Sequence, residues 1–154
     1  MPGRIFAWCA LVAIAALITV GAVSNGVVRH IIQTLPLWII VVLGLRDSAL
    51  TKWAALPIFL IWLIVMALIW LFLLRILHIV SGSFSPVEIA MTFAVGAGCL
   101  WAIVRFFTGK RSVPPLMAAA TLAGAAMLQV GAIAISLQPP LDSDSALMAA
   151  LQAH

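Results

Sequence analysis

The sequence predicts an all-α integral membrane protein, a single bundle of four to five transmembrane helices with short loops, five being the better fit. Three observations predict it. First, 66% of the residues are hydrophobic and 8% are charged, where an ordinary soluble domain carries roughly 25% charged residues. A water-soluble fold of 154 residues cannot hide so much apolar surface, so lipid must solvate most of it. Second, the apolar residues come in runs long enough to cross a hydrocarbon core of about 30 Å, which takes roughly 20 helical residues. Third, those runs are apolar on every side. Barrel strands would alternate, and helices are the other way to satisfy every backbone polar group in hydrocarbon.

The first run, Ile5–Val23, follows Arg4 and gives way to the small residues of GAVSNG. It reads as a first membrane helix of the signal-anchor kind and not as a cleaved leader. The second, Ile31–Leu45, is marginal, because its 15 residues rise only about 22 Å as a helix. Gln33, Thr34 and Pro36 interrupt its first third. It spans only if Val27 to His30 join it, which puts Arg29 and His30 at the headgroup level. Otherwise it is interfacial or re-entrant, and the spans number four. The third run, Trp53–Leu74, has no charged or hydrogen-bonding side chain apart from its indoles, and its Leu, Ile, Trp, Phe and Met suit a broad lipid-facing surface.

The fourth run, Val87–Val104 and extendable to Phe107, carries Ala90, Ala94, Gly98 and Ala102 at four-residue spacing. The fifth, Val113–Leu137, carries Ala120, Gly124 and Gly131 on one side. Small residues let membrane helices approach closely, so these two are expected to pack on each other or on a partner. Residues 1–138 thus form the bundle, and 139–154 form a tail that leaves it through two prolines. Asp144 or Ser145 is placed to cap a short interfacial helix with Leu147, Met148 and Leu151 on one face; the alternative is a fraying end.

Charge sets the topology. Arg46 and Lys52 lie in the 46–52 hinge, and Arg105, Lys110 and Arg111 in the 105–111 hinge. The positive-inside rule makes both hinges cytoplasmic and the 76–86 loop and C-terminal tail external, in a plasma membrane of the bacterial inner-membrane type. Six basic residues fall inside and two outside whether the spans number four or five. The net charge of +4 does not point to nucleic acid, which needs basic residues clustered as a patch or stripe. Cys9 and Cys99 lie within apolar runs as small hydrophobes.

The remaining polar residues have structural readings. Ser85, Pro86 and Glu88 have the spacing of a capping box, with Ser at N-cap, Pro at the first helical position and Glu at N3. Arg75 can snorkel to the phosphates, and His78 lies one turn further on the same face. With five spans, Arg29, His30, Arg75, His78 and Glu88 share the outer face. Two histidines on different helices there could serve haem, or with Glu88 zinc, but no metal or haem spacing motif is present, and neither cofactor nor metal is assigned. Arg29, His30, Arg75 and His78 are the candidates for a lipid headgroup or other anionic ligand. Gln129 reads as an interhelical hydrogen bond. No acidic residue lies deep in a run, as a coupled transporter normally requires, and no nucleophile–base pair is evident.

The leading expectation is therefore a non-catalytic protein, an accessory or scaffold subunit or a self-associating bundle. Its partners are membrane lipids and either further copies of itself or a larger membrane complex. A small carrier, channel or receptor for a lipophilic or anionic ligand is the alternative. An enzyme or electron-transfer subunit using the outer polar cluster is the third reading.

Overall fold

The computed structural model describes residues 3–76, 84–108 and 113–138. Among these, five helices are long and apolar enough to cross a membrane: α1 (Gly3–Val23), α2 (Val27–Leu45), α3 (Thr51–Leu73), α4 (Pro86–Thr108) and α5 (Pro115–Ser136). The marginal second run is a full helix of 19 residues, so five helices and not four are long and apolar enough to cross a membrane. Pro36 sits inside it, and Pro57 inside α3. Each removes one main-chain donor, but neither ends its helix. The C-terminal tail, His78, Lys110 and Arg111 lie outside the described residues.

Three helix ends share one device. Asn25, Asp47 and Arg75 take left-handed φ values of 55°, 51° and 58°. Behind each, a backbone N–H reaches five residues back: Gly26 to the Gly21 carbonyl, Ser48 to Leu43 and Ile76 to Leu71, at 2.8, 3.0 and 2.9 Å. These are Schellman closures, which satisfy carbonyls that the helix end would otherwise orphan. Glycine usually occupies the left-handed position, and none does so here.

Contacts between neighbours run α1–α2–α5–α3–α4 and back to α1, a closed ring, with lesser contacts from α3 to α1 and α2 across the middle. The helix with the most buried surface is α1, whose Gly3, Ala7, Ala10, Ala13, Leu17 and Gly21 are all buried. The α1–α2 approach is closest at Gly44, where an added Cβ would stand 2.7 Å from the Gly3 carbonyl oxygen and 2.9 Å from the Ala7 Cβ.

Of two expectations from texture, one needs an addition and one a correction. The run expected to offer a broad lipid-facing surface, α3, leaves most of its residues unburied, but it also buries Ala54, Ala55, Ile58, Phe59, Trp62 and Met66 against its neighbours. Its uniform hydrophobicity conceals an inward face, because core and lipid accept the same side chains. The stripe on α4 is also displaced. Ala102 is buried and Ala94 and Gly98 are half-buried, but Ala90 is exposed, and the buried face runs through Thr92, Val95, Gly96, Cys99 and Ala102. That face meets α1 and α3. The expected α4–α5 pairing does not form, and a Cβ at Gly124 or Gly131 meets nothing within 4 Å.

Candidate functional site

The five helices converge poorly at one end of the bundle. A cavity of about 460 Å³ opens there, among the last turns of α1, α3 and α5 and the first turns of α2 and α4. This volume is in the usual range for small-molecule sites. From Glu88 to Val95 its α4 wall extends over eight residues, about 10 Å of helix rise. The deeper walls are apolar, with Leu17 from α1, Trp62 and Met66 from α3 and Val95 from α4. Ser24, Arg29, His30 and Glu88 line the shallower part, with Phe84 and Leu137 beside them.

Each polar residue is held by its element. His30 lies in the first turn of α2, and its ring packs against Gly21 of α1, where an added Cβ would stand 3.1 Å from the ring. Its Nδ1 is 2.9 Å from the Gly26 carbonyl. A carbonyl only accepts, so Nδ1 carries the proton and donates. The neutral ring is fixed as the tautomer whose Nε2 holds a lone pair. Arg29, beside it and half-buried, forms neither a hydrogen bond nor an ion pair among the described residues. Gly26, the N-cap of α2, has no side chain to cap the helix's first N–H groups.

Glu88 is occupied as its spacing predicts. Its Oε2 accepts from the Ser85 backbone N–H at 2.7 Å, and its own N–H donates to the Ser85 Oγ at 3.2 Å. The capping box is formed. Glu88 nevertheless lines the cavity and is close enough to His30 for their charges to interact. Its place in the cap does not remove it from the site.

Deeper polar groups serve mainly as joints between helices. The Trp70 indole N–H donates to the Thr92 Oγ1 at 3.0 Å, and that hydroxyl donates in turn to the Ile89 carbonyl at 2.8 Å. Gln33 donates through Nε2 to the Ser136 Oγ at 2.8 Å. Gln129, completely buried, donates through Nε2 to the Gln33 carbonyl at 3.3 Å. This network pins α2 to α5 beside the cavity, and Gln33 also lines it. Thr34 and Gln129 do not.

Of the four ligand candidates read from sequence, Arg29 and His30 meet at the cavity. Arg75 is exposed and is absent from its lining; its structural part is to close α3. His78 falls outside the described residues. Glu88, whose spacing predicts a cap, and Gln33, which in the sequence only interrupts the second run, join the site. No group of three His, Cys, Asp or Glu side chains that could hold a metal ion occurs among the described residues.

No family model matches the chain, and no curated protein or solved structure matches it either. The cavity and its residues are therefore the ground for a functional reading.

Proposed function

We propose that this protein is a non-catalytic membrane protein that binds one small amphiphile in the cavity at the end of its bundle. The apolar body lies against Leu17, Trp62, Met66 and Val95, and the polar head stays near Arg29, His30 and Glu88. The observation that carries this reading is the Arg29 guanidinium, without a hydrogen bond or ion pair among the described residues, on the wall of an otherwise largely apolar cavity. Leaving a charge at the edge of hydrocarbon is costly unless a partner or water meets it, and an anionic head is such a partner. Carrier, receptor and lipid-sequestering roles all use this step.

The distribution of basic residues supports a topology for the site. Arg4, Arg46, Lys52 and Arg105 stand at one end of the ring, and Arg29 and Arg75 at the other. With Lys110 and Arg111 in the α4–α5 connection, the ratio is again six to two. By the positive-inside rule the cavity opens toward the external side of a plasma membrane, and the 46–52 and 105–111 hinges are cytoplasmic.

The direct test is mild-detergent purification from the native host, with mass spectrometry of bound small molecules. A stoichiometric amphiphile should co-purify, and Val65→Phe, which pushes a ring into the cavity from α3, should displace it while the fold is kept. Wild-type protein that is free of ligand and also fails to bind added anionic amphiphiles would overturn the reading.

A second reading, a scaffold that self-associates or joins a larger complex, is favoured by the outer face of α5. Gly124 and Gly131 look onto open space there, and Gly131 lines a shallow depression with Pro36 and Ile39 of α2. Such a surface admits a close-packed helix. Binding an amphiphile and packing on a partner use different faces, so one protein can do both.

A further inference from the structure

We propose that the head of the bound amphiphile is a phosphate monoester. The inference rests on the binding role above and specifies its ligand. Two neighbouring side chains of α2 state what the head must offer. Arg29, with no hydrogen bond or ion pair among the described residues, presents donors and a fixed positive charge, so the head needs anionic oxygens. His30 adds a stricter condition. Its Nδ1–H is committed to the Gly26 carbonyl at 2.9 Å, and among the described residues its Nε2 has no partner. In the neutral ring Nε2 is an acceptor, so the head must also bring a proton.

Arg29 and His30 are neighbours and ask for both from one compact group, which few membrane amphiphiles offer. The hydroxyl or ammonium of a phosphodiester head stands apart from its anionic oxygens. A phosphodiester has anionic oxygen and no remaining P–OH. A fatty carboxyl group is either charged without a proton or protonated without charge, and a quinone offers only acceptors. A phosphate monoester has both features in its monoanion, because its second proton leaves only near pH 6. The P–OH donates to Nε2 while the ionised oxygens accept from Arg29. If the proton crosses to Nε2, the imidazolium donates to the dianion, and the same hydrogen bond persists with its polarity reversed. The uncapped first turn of α2 adds N–H groups on the same side. Glu88 is the opposing charge in the cavity lining; with Oε2 already accepting from Ser85, it limits affinity without removing the preference.

The test compares ligands that differ by one proton. Dodecyl phosphate and methyl dodecyl phosphate share a tail and at least one negative charge, but only the first has a P–OH or, once that ionises, a second negative charge. Binding to purified protein in neutral detergent, followed by native mass spectrometry at pH 6.5, should favour the monoester by about tenfold, as for one charge-assisted hydrogen bond. His30→Phe should reduce the ratio, what remains being set by the monoester's second charge at Arg29, and Arg29→Gln should weaken both ligands together. Inorganic phosphate should bind far more weakly than dodecyl phosphate, because it lacks the apolar body. Equal binding of both dodecyl ligands to the wild type would overturn the monoester assignment and leave the amphiphile site standing. Binding of neither would overturn the site itself. The ratio on unaltered protein remains decisive if His30→Phe does not fold.

Discussion

The two ends of the bundle are built from similar residues to opposite effect. At the hinge end the backbones of α1 and α2 nearly touch at Gly3, Ala7 and Gly44, and the Gly3 N–H donates to the Asp47 Oδ1 at 3.0 Å. Trp53 and Phe106 pack edge to face with centroids 5.3 Å apart, and the Lys52 Nζ sits 5.2 and 5.5 Å from the two rings. At the other end, His30 keeps α1 and α2 in contact through Gly21, but Val65, Met66, Ile69 and Met91 line a cavity that all five helices border. Small residues close a membrane bundle by letting backbones meet. Medium-sized chains on helices held apart leave room, and here that room is bordered by charge.

The largest expected effect tests the closed end. Gly44→Leu must force its side chain into the Gly3 carbonyl and Ala7, and should cost about 3 kcal/mol or more, the upper range for overpacking. Gly98→Leu is the matched control. A Cβ there lies 3.7 Å from the Cys9 carbonyl oxygen, an ordinary contact, beside an open groove lined by Ile5, Trp8, Val12 and Trp101. It should change stability by less than about 1 kcal/mol. Unfolding in detergent mixtures measures both. Equal losses would mean that α1–α2 is no tighter than α1–α4, and a shift of Gly98→Leu to a smaller oligomer would show that a second copy fills the groove.

The middle effect tests whether the open end's polar residues are structural, functional or both. Ser85→Ala should cost about 1 kcal/mol, within the usual N-cap range, with ligand binding intact. Glu88→Gln keeps the reach and the acceptor oxygen, so stability should hold. Removing its negative charge should leave binding of dodecyl phosphate unchanged or stronger. Thermal melting and the same binding assay separate the two roles. Loss of binding on Glu88→Gln in a normally folded protein would make this carboxylate a ligand contact and would contradict an anionic head.

Much of this contrast was legible in the sequence, at uneven depth. Hydropathy located all five helices to within a few residues, and Ser85, Pro86 and Glu88 announced their cap because capping is a local interaction with fixed spacing. Facing was harder. Lipid and protein interior impose almost the same demand on a side chain, so the Leu- and Trp-rich α3 announced its broad outer surface but not the inward face of Ala54, Ala55, Ile58, Phe59, Trp62 and Met66. The regular stripe on α4 attracted notice, yet the closest approach uses Gly3, Ala7 and Gly44, signalled only by GRIFAWCA and a late glycine in α2. The site was half visible. Arg29 and His30 could be grouped once α2 was extended to Val27, but the tautomer of His30 depends on a carbonyl that no spacing rule identifies. Arg75 misled for a related reason, since without glycine the left-handed helix end left no mark.

The smallest effect concerns that residue. Arg75 holds φ at 58°, where a side chain's Cβ crowds the backbone at roughly 1–2 kcal/mol. Its N–H and that of Ile76 close α3 through the Phe72 and Leu71 carbonyls, each at 2.9 Å. Arg75→Gly keeps both bonds and relieves the crowding, while glycine's larger freedom in the unfolded chain takes back part of the gain. The balance should be a stabilisation of about 0.5 kcal/mol, seen as a slightly higher melting temperature. Because Arg75 is exposed and absent from the cavity lining, binding of dodecyl phosphate should not change. Arg29→Gln removes a guanidinium from the same end of the bundle and should weaken that binding strongly. If the two variants lose binding alike, both arginines serve the ligand through the field they share at this end, and the cavity is not what selects it.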